Sequence, residues 1–149
     1  MTGTEKNPGA KLMGRFAVEF EVANLTDVTL AEAGVLAPEK VRRAKIQGIV
    51  DCGATRLVLP QSVAKALGLK KTGTVTVKYA DGRTAIRPTA QGVQVDLLGR
   101  RSIFTASIEP RRQTALIGAV VLEDLDFLVD STPQRLVPRD PKTIISEEE

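Results

Sequence analysis

One short segment, Asp51 to Thr55, combines residue types that could carry acid/base chemistry. Its five residues are Asp51, Cys52, Gly53, Ala54 and Thr55. The segment lies between two apolar runs, residues 49–50 and 57–59. A carboxylate without partners is costly to bury, so an apolar core normally excludes one. Either Asp51 faces water at a turn and caps backbone amides, or the protein holds this carboxylate in a poor solvent for acid/base chemistry.

The absence of histidine limits the mechanisms open to this chain of 149 residues. Ser-His-Asp and Cys-His mechanisms need an imidazole base, and histidine-ligated zinc sites are excluded in the same way. Cys52 is the one cysteine, so the chain can form neither an intramolecular disulfide nor a thiolate metal cluster. A hydrolase built on this sequence must use carboxylates, lysine, or a hydroxyl activated by lysine.

Composition and charge argue against a nucleic-acid partner. Tryptophan is absent and aromatic residues make up 3% of the chain, whereas single-stranded nucleic acids are usually bound on aromatic faces. The net charge is only +3, and the arginine pairs at 42–43, 100–101 and 111–112 are scattered. We interpret these pairs mainly as solvated loop and strand positions.

The apolar segments are too short to predict a membrane partner. The segment from Met1 to Lys11 is polar and has no apolar signal-peptide core. An unpaired cysteine is compatible with a reducing compartment. The sequence therefore predicts a cytoplasmic protein.

Two-residue alternation of apolar and polar residues predicts a mostly β fold. Apolar faces of this kind occur at residues 16–22, 44–50, 75–79, 93–97 and 103–108. Seven or more short strands in a small chain favour a closed or sandwiched sheet. Asp81-Gly82 predicts a hairpin with a type I′ turn, and a second hairpin is expected to turn near Gly99.

Helical signals are short. Pro60 begins one helix that Gly68 ends, and Ala119 to Leu125 is a second candidate. The segment from Ala31 to Glu39 is interpreted as a long surface loop. We predict a disordered N-terminal tail at residues 1–12, one domain at residues 13–139, and a polar, acidic C-terminal tail at residues 140–149.

Three features follow one another in a defined order along the chain. An apolar strand ends in Asp-x-Gly-Ala, a hairpin with Gly82 at its tip follows, and an apolar run ends in Gly118. This order resembles that of the retropepsins, the single-domain retroviral-type aspartic proteases, and of their small bacterial relatives. The resemblance covers about residues 14–138, and its specificity comes from this context because Asp-x-Gly-Ala alone is short.

The resemblance implies a closed acid-protease barrel and a role for each matching residue. Asp51 corresponds to the catalytic aspartate, and Cys52, Gly53, Ala54 and Thr55 form the active-site loop. The residues that would support this loop are Leu116, Ile117 and Gly118. The hairpin residues that would form a flap over bound peptide are Tyr79, Ala80, Asp81, Gly82 and Arg83. An ordinary surface hairpin, with Tyr79 facing the core, remains the alternative for this last group.

The resemblance also implies a symmetric homodimer. Aspartic proteases use two carboxylates that share one proton, and this chain has one such motif, so the second Asp51 must come from a second copy. The ionised aspartate would activate a water as general base, and its protonated mate would polarise the peptide carbonyl. The expected partners are a second copy of the chain and a peptide or protein substrate, and the mechanism requires no covalent intermediate, metal or cofactor.

Cys52 departs from the family pattern, which usually has threonine or serine at this position. A thiol is a weak hydrogen-bond donor and acceptor, so the dimer's active-site floor should be looser. Three interpretations stay open. The substitution could be tolerated with reduced activity, it could mark an inactive dimer that binds peptide or a partner protein, or two Cys52 thiols could form a disulfide across the two-fold axis.

Overall fold

A computed structural model describes residues 15–148 of the chain. The N-terminal tail predicted at residues 1–12 lies outside this range. The strands are β1 (Arg15–Asn24), β2 (Arg43–Asp51), β3 (Leu57–Pro60), β4 (Lys71–Lys78), β5 (Thr84–Leu97), β6 (Arg100–Glu109), β7 (Ala115–Ile117), β8 (Phe127–Asp130) and β9 (Arg135–Pro138). The helices are α1 (Leu25–Glu32), α2 (Gln61–Ala66) and α3 (Ala119–Asp124), and a short 3-10 helix covers Pro38–Lys40.

Six of these strands close into a barrel. The strand order in the main sheet is β1-β2-β7-β3-β6-β5-β4, and β1 also pairs with β5, which joins the two ends of the six-stranded part. Closure removes the open edges of the six-stranded part, which would otherwise invite pairing with other chains. The mostly β, barrel-like fold expected from the sequence is therefore confirmed.

The buried core is mainly aliphatic, and it also includes Phe16, Phe20, Phe104 and Phe127. The largest fully buried side chains include Leu57, Leu59, Leu97, Ile108 and Ile117. In β1 the inward-facing Phe16, Phe20 and Val22 alternate with more exposed residues, the pattern of a half-buried strand.

The hairpin turns differ in type from the sequence prediction. We expected a type I′ turn at Asp81-Gly82, but of these two residues only Gly82 has a positive φ, +89°. The φ > 0 pair that a type I′ turn needs is found at Leu98 (+50°) and Gly99 (+84°), in the two-residue connection between β5 and β6. The prediction at Asp81-Gly82 is wrong because Asp-Gly is compatible with more than one turn type. The type I′ turn at Leu98-Gly99 was not predicted because leucine is rare at positive φ.

The two predicted helices, α2 and α3, are found, whereas α1 was not predicted. Pro60 precedes α2, and Gly68 follows its end with a φ of +64°. The predicted loop from Ala31 to Glu39 is wrong at both ends, because α1 runs through Glu32 and the 3-10 helix begins at Pro38. Within residues 15–148 no helix is long and apolar enough to cross a membrane.

Strands β8 and β9 form a separate antiparallel hairpin after the barrel. Asp126, at the turn into β8, accepts hydrogen bonds from the Arg139 side chain and from the Ile145 amide. The Arg100 guanidinium donates to the carbonyl oxygens of Asp140 and Thr143. These bonds hold the C-terminal segment against the domain at least as far as Ile145.

Candidate active site

The topology brings the two glycine-containing motifs together at one end of the barrel. Strand β7 runs parallel to β2, with Val50 opposite Ile117. Since parallel strands end at the same edge of a sheet, Asp51 and Gly118, the next residues in each chain segment, lie side by side. Residues sixty-seven positions apart in the sequence are thus neighbours because β7 inserts between β2 and β3.

Gly118 packs directly against the backbone of the aspartate loop. A Cβ atom added at this position would lie 2.5 Å from the carbonyl oxygen of Arg56 and 2.7 Å from that of Ala54. Its φ of −86° is open to any residue, so close approach rather than backbone conformation requires glycine here. The amides of Ala119 and Val120 then donate to the carbonyls of Ala54 and Thr55, at 2.8 and 2.9 Å.

Asp51 caps its own loop and still reaches solvent. Its Oδ1 accepts the Gly53 amide at 3.0 Å, and its carbonyl oxygen accepts the Ala54 amide at 3.1 Å. The side chain is 20% exposed, and its Oδ2 lies 3.7 Å from Nη2 of the half-exposed Arg15. Asp51 therefore faces water in part and caps a backbone amide at a turn, which is the first of the two interpretations. The acid/base role of Asp51 stays a prediction.

The rest of the loop faces outward. Cys52, Gly53 and Thr55 are exposed, and Cys52 is a free thiol. No hydrogen bond from the Cys52 thiol is formed within residues 15–148.

The hairpin predicted as a flap projects beyond the closed barrel, since β4 pairs only with β5 among the described strands. The Tyr79 amide donates to the Arg83 carbonyl and the Gly82 amide donates to the Tyr79 carbonyl, which closes a tight tip. Arg83 pairs with Asp81 at 2.7 Å, and its guanidinium lies 5.0 Å from the centre of the Tyr79 ring. The tip is therefore internally ordered, although its residues from Ala80 to Arg83 are exposed.

A polar cluster that the sequence did not predict anchors the base of this hairpin. The Tyr79 hydroxyl donates to Oε2 of Glu109 at 2.7 Å, and Arg87 Nε donates to Oε1 at 2.9 Å. Glu109 is only 8% exposed, at the end of β6. Burial raises the pKa of the Tyr79 phenol, and its hydrogen bond to Glu109 adds to this effect. Glu109 is the last residue of β6, as Asp51 is the last residue of β2. A carboxylate directly after an apolar run was the sequence signal that could have identified Glu109.

Arg15 and Arg112 are two further residues near the site that the sequence pattern did not predict. Arg112 lies between β6 and β7, half-buried, and its guanidinium donates to the carbonyl and hydroxyl oxygens of Thr114. The arginine pairs are expected to be solvated positions, and this expectation is wrong for Arg112. Arg42 is exposed as expected, but it also binds the buried Asp27 through two side-chain hydrogen bonds.

The predicted site residues thus fall into two groups. The loop residues Asp51 to Thr55 and the supporting run Leu116 to Gly118 are brought together, with Ile117 buried and Leu116 half-buried. The hairpin residues Tyr79 to Arg83 form a separate projection that is joined to the barrel through Glu109. Within residues 15–148 no cluster of three or more potential metal ligands is formed.

A closed six-stranded barrel with an Asp-x-Gly-Ala loop packed on a Gly-ended strand defines a retropepsin-like aspartic protease domain. Residues 38–124 match the family described as "gag-polyprotein putative aspartyl protease", and the chain belongs to that family. No curated protein matches the sequence. Among solved structures, the chain is similar to the protease of simian foamy virus (mac), with 15% identity and a TM-score of 0.46 over 72% of this chain and 91% of that one.

Proposed function

We propose that the protein is an aspartic endopeptidase whose catalytic pair forms across a homodimer, with one Asp51 from each chain. The observation that carries the proposal is the position of Asp51, a partly exposed carboxylate held at the end of β2 by the Gly53 amide. Each described chain offers one such loop, so a complete pair needs a second copy.

In the proposed mechanism one Asp51 is ionised and activates a water molecule as general base. Its protonated mate polarises the peptide carbonyl and then donates a proton to the leaving nitrogen. Two carboxylates about 3 Å apart share one proton because both cannot ionise. Asp51 Oδ2, which has no backbone donor among residues 15–148, is the oxygen that we assign to this exchange.

The substrate in this proposal is an extended peptide between the aspartate loop and the hairpin tip from Ala80 to Arg83. The anchoring of Tyr79 by Glu109 supports a flap that bends at a defined base. Main-chain pairing with such a peptide would make recognition partly independent of sequence.

A second candidate is a dimer that binds peptide or a partner protein without cutting it. The exposed Cys52 thiol favours this candidate, because the described residues give it no partner that would steady the aspartate loop. A weak donor at this position is expected to leave the two loops less well aligned.

Cleavage of a diverse peptide pool from about pH 4 to 7 tests the proposal, with wild type compared with Asp51→Asn and the mass determined by sedimentation. Cleavage by a dimer that disappears in the Asn variant supports the protease. A dimer that binds peptide but cleaves none at any pH supports the second candidate, and a monomer that cleaves contradicts the shared pair.

A further inference from the structure

Arg112 is a half-buried cation whose positive charge is not balanced by a nearby carboxylate. Its Nε donates to the Thr114 carbonyl at 2.9 Å and its Nη2 lies 3.3 Å from the Thr114 hydroxyl, so the guanidinium is held in one orientation by neutral groups. Among residues 15–148 no carboxylate oxygen lies within 4.0 Å of it.

Arg112 lies three residues after Glu109, in the connection between β6 and β7, and β7 leads into Gly118 beside the aspartate loop. Desolvation lowers its pKa, and the charge of Arg15 lowers it further, whereas Glu109 and Asp51 act in the opposite direction. Arg112 is therefore close enough to both carboxylates to feel their charge. In the substrate position proposed above, a peptide between Asp51 and the hairpin would lie in the same region as this guanidinium.

Both neighbouring carboxylates are already engaged. Glu109 accepts from Tyr79 with one oxygen and from Arg87 with the other. Asp51 accepts the Gly53 amide and faces Arg15. Arg87 and Arg15 already pair with these two carboxylates, and Arg112 is a third guanidinium under the influence of their charge. A shared proton on the Asp51 pair would leave still less negative charge. A partly desolvated cation that lacks a partner strongly favours an anion with access to it.

We propose that Arg112 forms a specificity subsite that selects peptide substrates carrying an aspartate or glutamate beside the scissile bond. This inference rests on the proposed protease function and adds a substrate class to it. Arginine suits the role because its planar fork binds carboxylates in a bidentate manner. Thr114 accepts from Nε and Nη2 of Arg112. Nη1 makes no hydrogen bond among residues 15–148, so its N–H groups can donate to a substrate carboxylate.

Matched peptides test the subsite. A cleaved peptide is made with glutamate or glutamine at each position flanking the bond, and kcat/KM is measured for both forms. We expect wild type to favour glutamate at one position by about tenfold to a hundredfold, as a charge-assisted hydrogen bond in a partly desolvated site would give. Arg112→Gln should abolish this preference, so that the ratio of kcat/KM for the glutamate peptide to that for the glutamine peptide falls to about one.

Arg111→Gln is the matched control, because Arg111 is the adjacent but exposed arginine. It should keep the preference for glutamate. If both variants lose the preference for glutamate equally, the preference comes from the overall positive charge of this segment, and the proposed subsite at Arg112 is wrong. A fall in the rate of both peptides in Arg112→Gln, together with a weaker dimer in sedimentation, would show a structural or intersubunit role instead and would equally overturn it.

Binding to the Asp51→Asn variant separates failure of the subsite from failure of the protease. Fluorescence anisotropy of the labelled peptides on this variant reports recognition without turnover. If wild type cleaves nothing but the Asn variant binds the glutamate peptide more tightly through Arg112, the subsite stands and the protease fails. If wild type cleaves both peptides equally and Asp51→Asn binds them equally, the protease stands and the subsite fails.

Discussion

Replacement of Gly118 by alanine should destabilise the domain by displacing the aspartate loop. The added Cβ would lie 2.5 Å from the Arg56 carbonyl oxygen, 2.7 Å from that of Ala54 and 2.8 Å from the Arg56 amide nitrogen. All three atoms are backbone, so no side chain can rotate away. The strand and the loop must separate, and the Ala119 and Val120 amides would lose their carbonyl acceptors.

The size of the effect follows from these contacts. Overpacking of this kind costs about 1–3 kcal/mol, and each lost backbone hydrogen bond costs about 1 kcal/mol. The sum for Gly118→Ala is about 3–5 kcal/mol, a large share of the roughly 5–15 kcal/mol that stabilises an ordinary domain. With a urea m value of about 2 kcal/mol/M, the unfolding midpoint should fall by about 1.5–2.5 M.

Urea unfolding followed by circular dichroism measures this shift, at one fixed protein concentration because dimerisation would add to the apparent stability. Gly53→Ala is the control in the same loop. Its Cβ would meet only the Asp51 side chain, at 3.2 Å, and that side chain can move. We expect a loss below about 1 kcal/mol in the control. If Gly118→Ala unfolds within about 0.5 kcal/mol of wild type, close packing at Gly118 does not hold the loop.

Three further predictions concern single side chains. Arg42 holds the pKa of Asp27 at about 2, below its usual 3.8. The stability that this pair contributes is therefore present above about pH 4 and lost as the pH falls toward 2. In urea titrations the advantage of wild type over Asp27→Asn should shrink across that window. Tyr79→Phe should cost about 1–3 kcal/mol in the free energy of unfolding, because it removes a donor from the buried Glu109 carboxylate. Cys52→Thr should raise kcat/KM for peptide cleavage, since a hydroxyl is the better donor and acceptor.

Each of these predictions has a contrary outcome. The pH series should cover both pKa values of Asp27, about 2 in the folded protein and 3.8 ordinarily. If the difference in unfolding free energy between wild type and Asp27→Asn stays constant across that range, the ion pair does not contribute to stability. Unchanged unfolding of Tyr79→Phe would mean that water satisfies Glu109. A Thr variant no faster than wild type would show that the thiol does not limit catalysis.

Local sequence predicted the parts of the site that depend on short motifs. The motifs at Asp51 and Gly118 were sufficient to predict that these two residues belong to one site. The parallel pairing of β2 and β7 brings the ends of the two strands together. Helix α1 was not predicted, since its Thr and Val residues give no apolar stripe. The Asn24 side chain accepts the Asp27 amide, and this N-cap was the signal available for that helix.

The polar cluster at the hairpin base lay beyond local reasoning. Tyr79 and Glu109 are thirty residues apart, and Arg87 lies between them on another strand. No periodicity encodes which charged residues meet across a closed barrel, because barrel register decides it. The same reason explains why Arg112 resembled a solvated arginine in the sequence although the fold buries part of it.

A mixing experiment tests the central claim most directly. Wild-type chains are mixed with Asp51→Asn chains at a fixed amount of wild type, allowed to exchange subunits, and assayed for peptide cleavage. If each site needs Asp51 from both chains, mixed dimers are inactive and an equal amount of the variant should lower activity to about half. Activity that stays unchanged after exchange, with mixed dimers verified by mass, would show that each chain carries a complete site and would contradict the account.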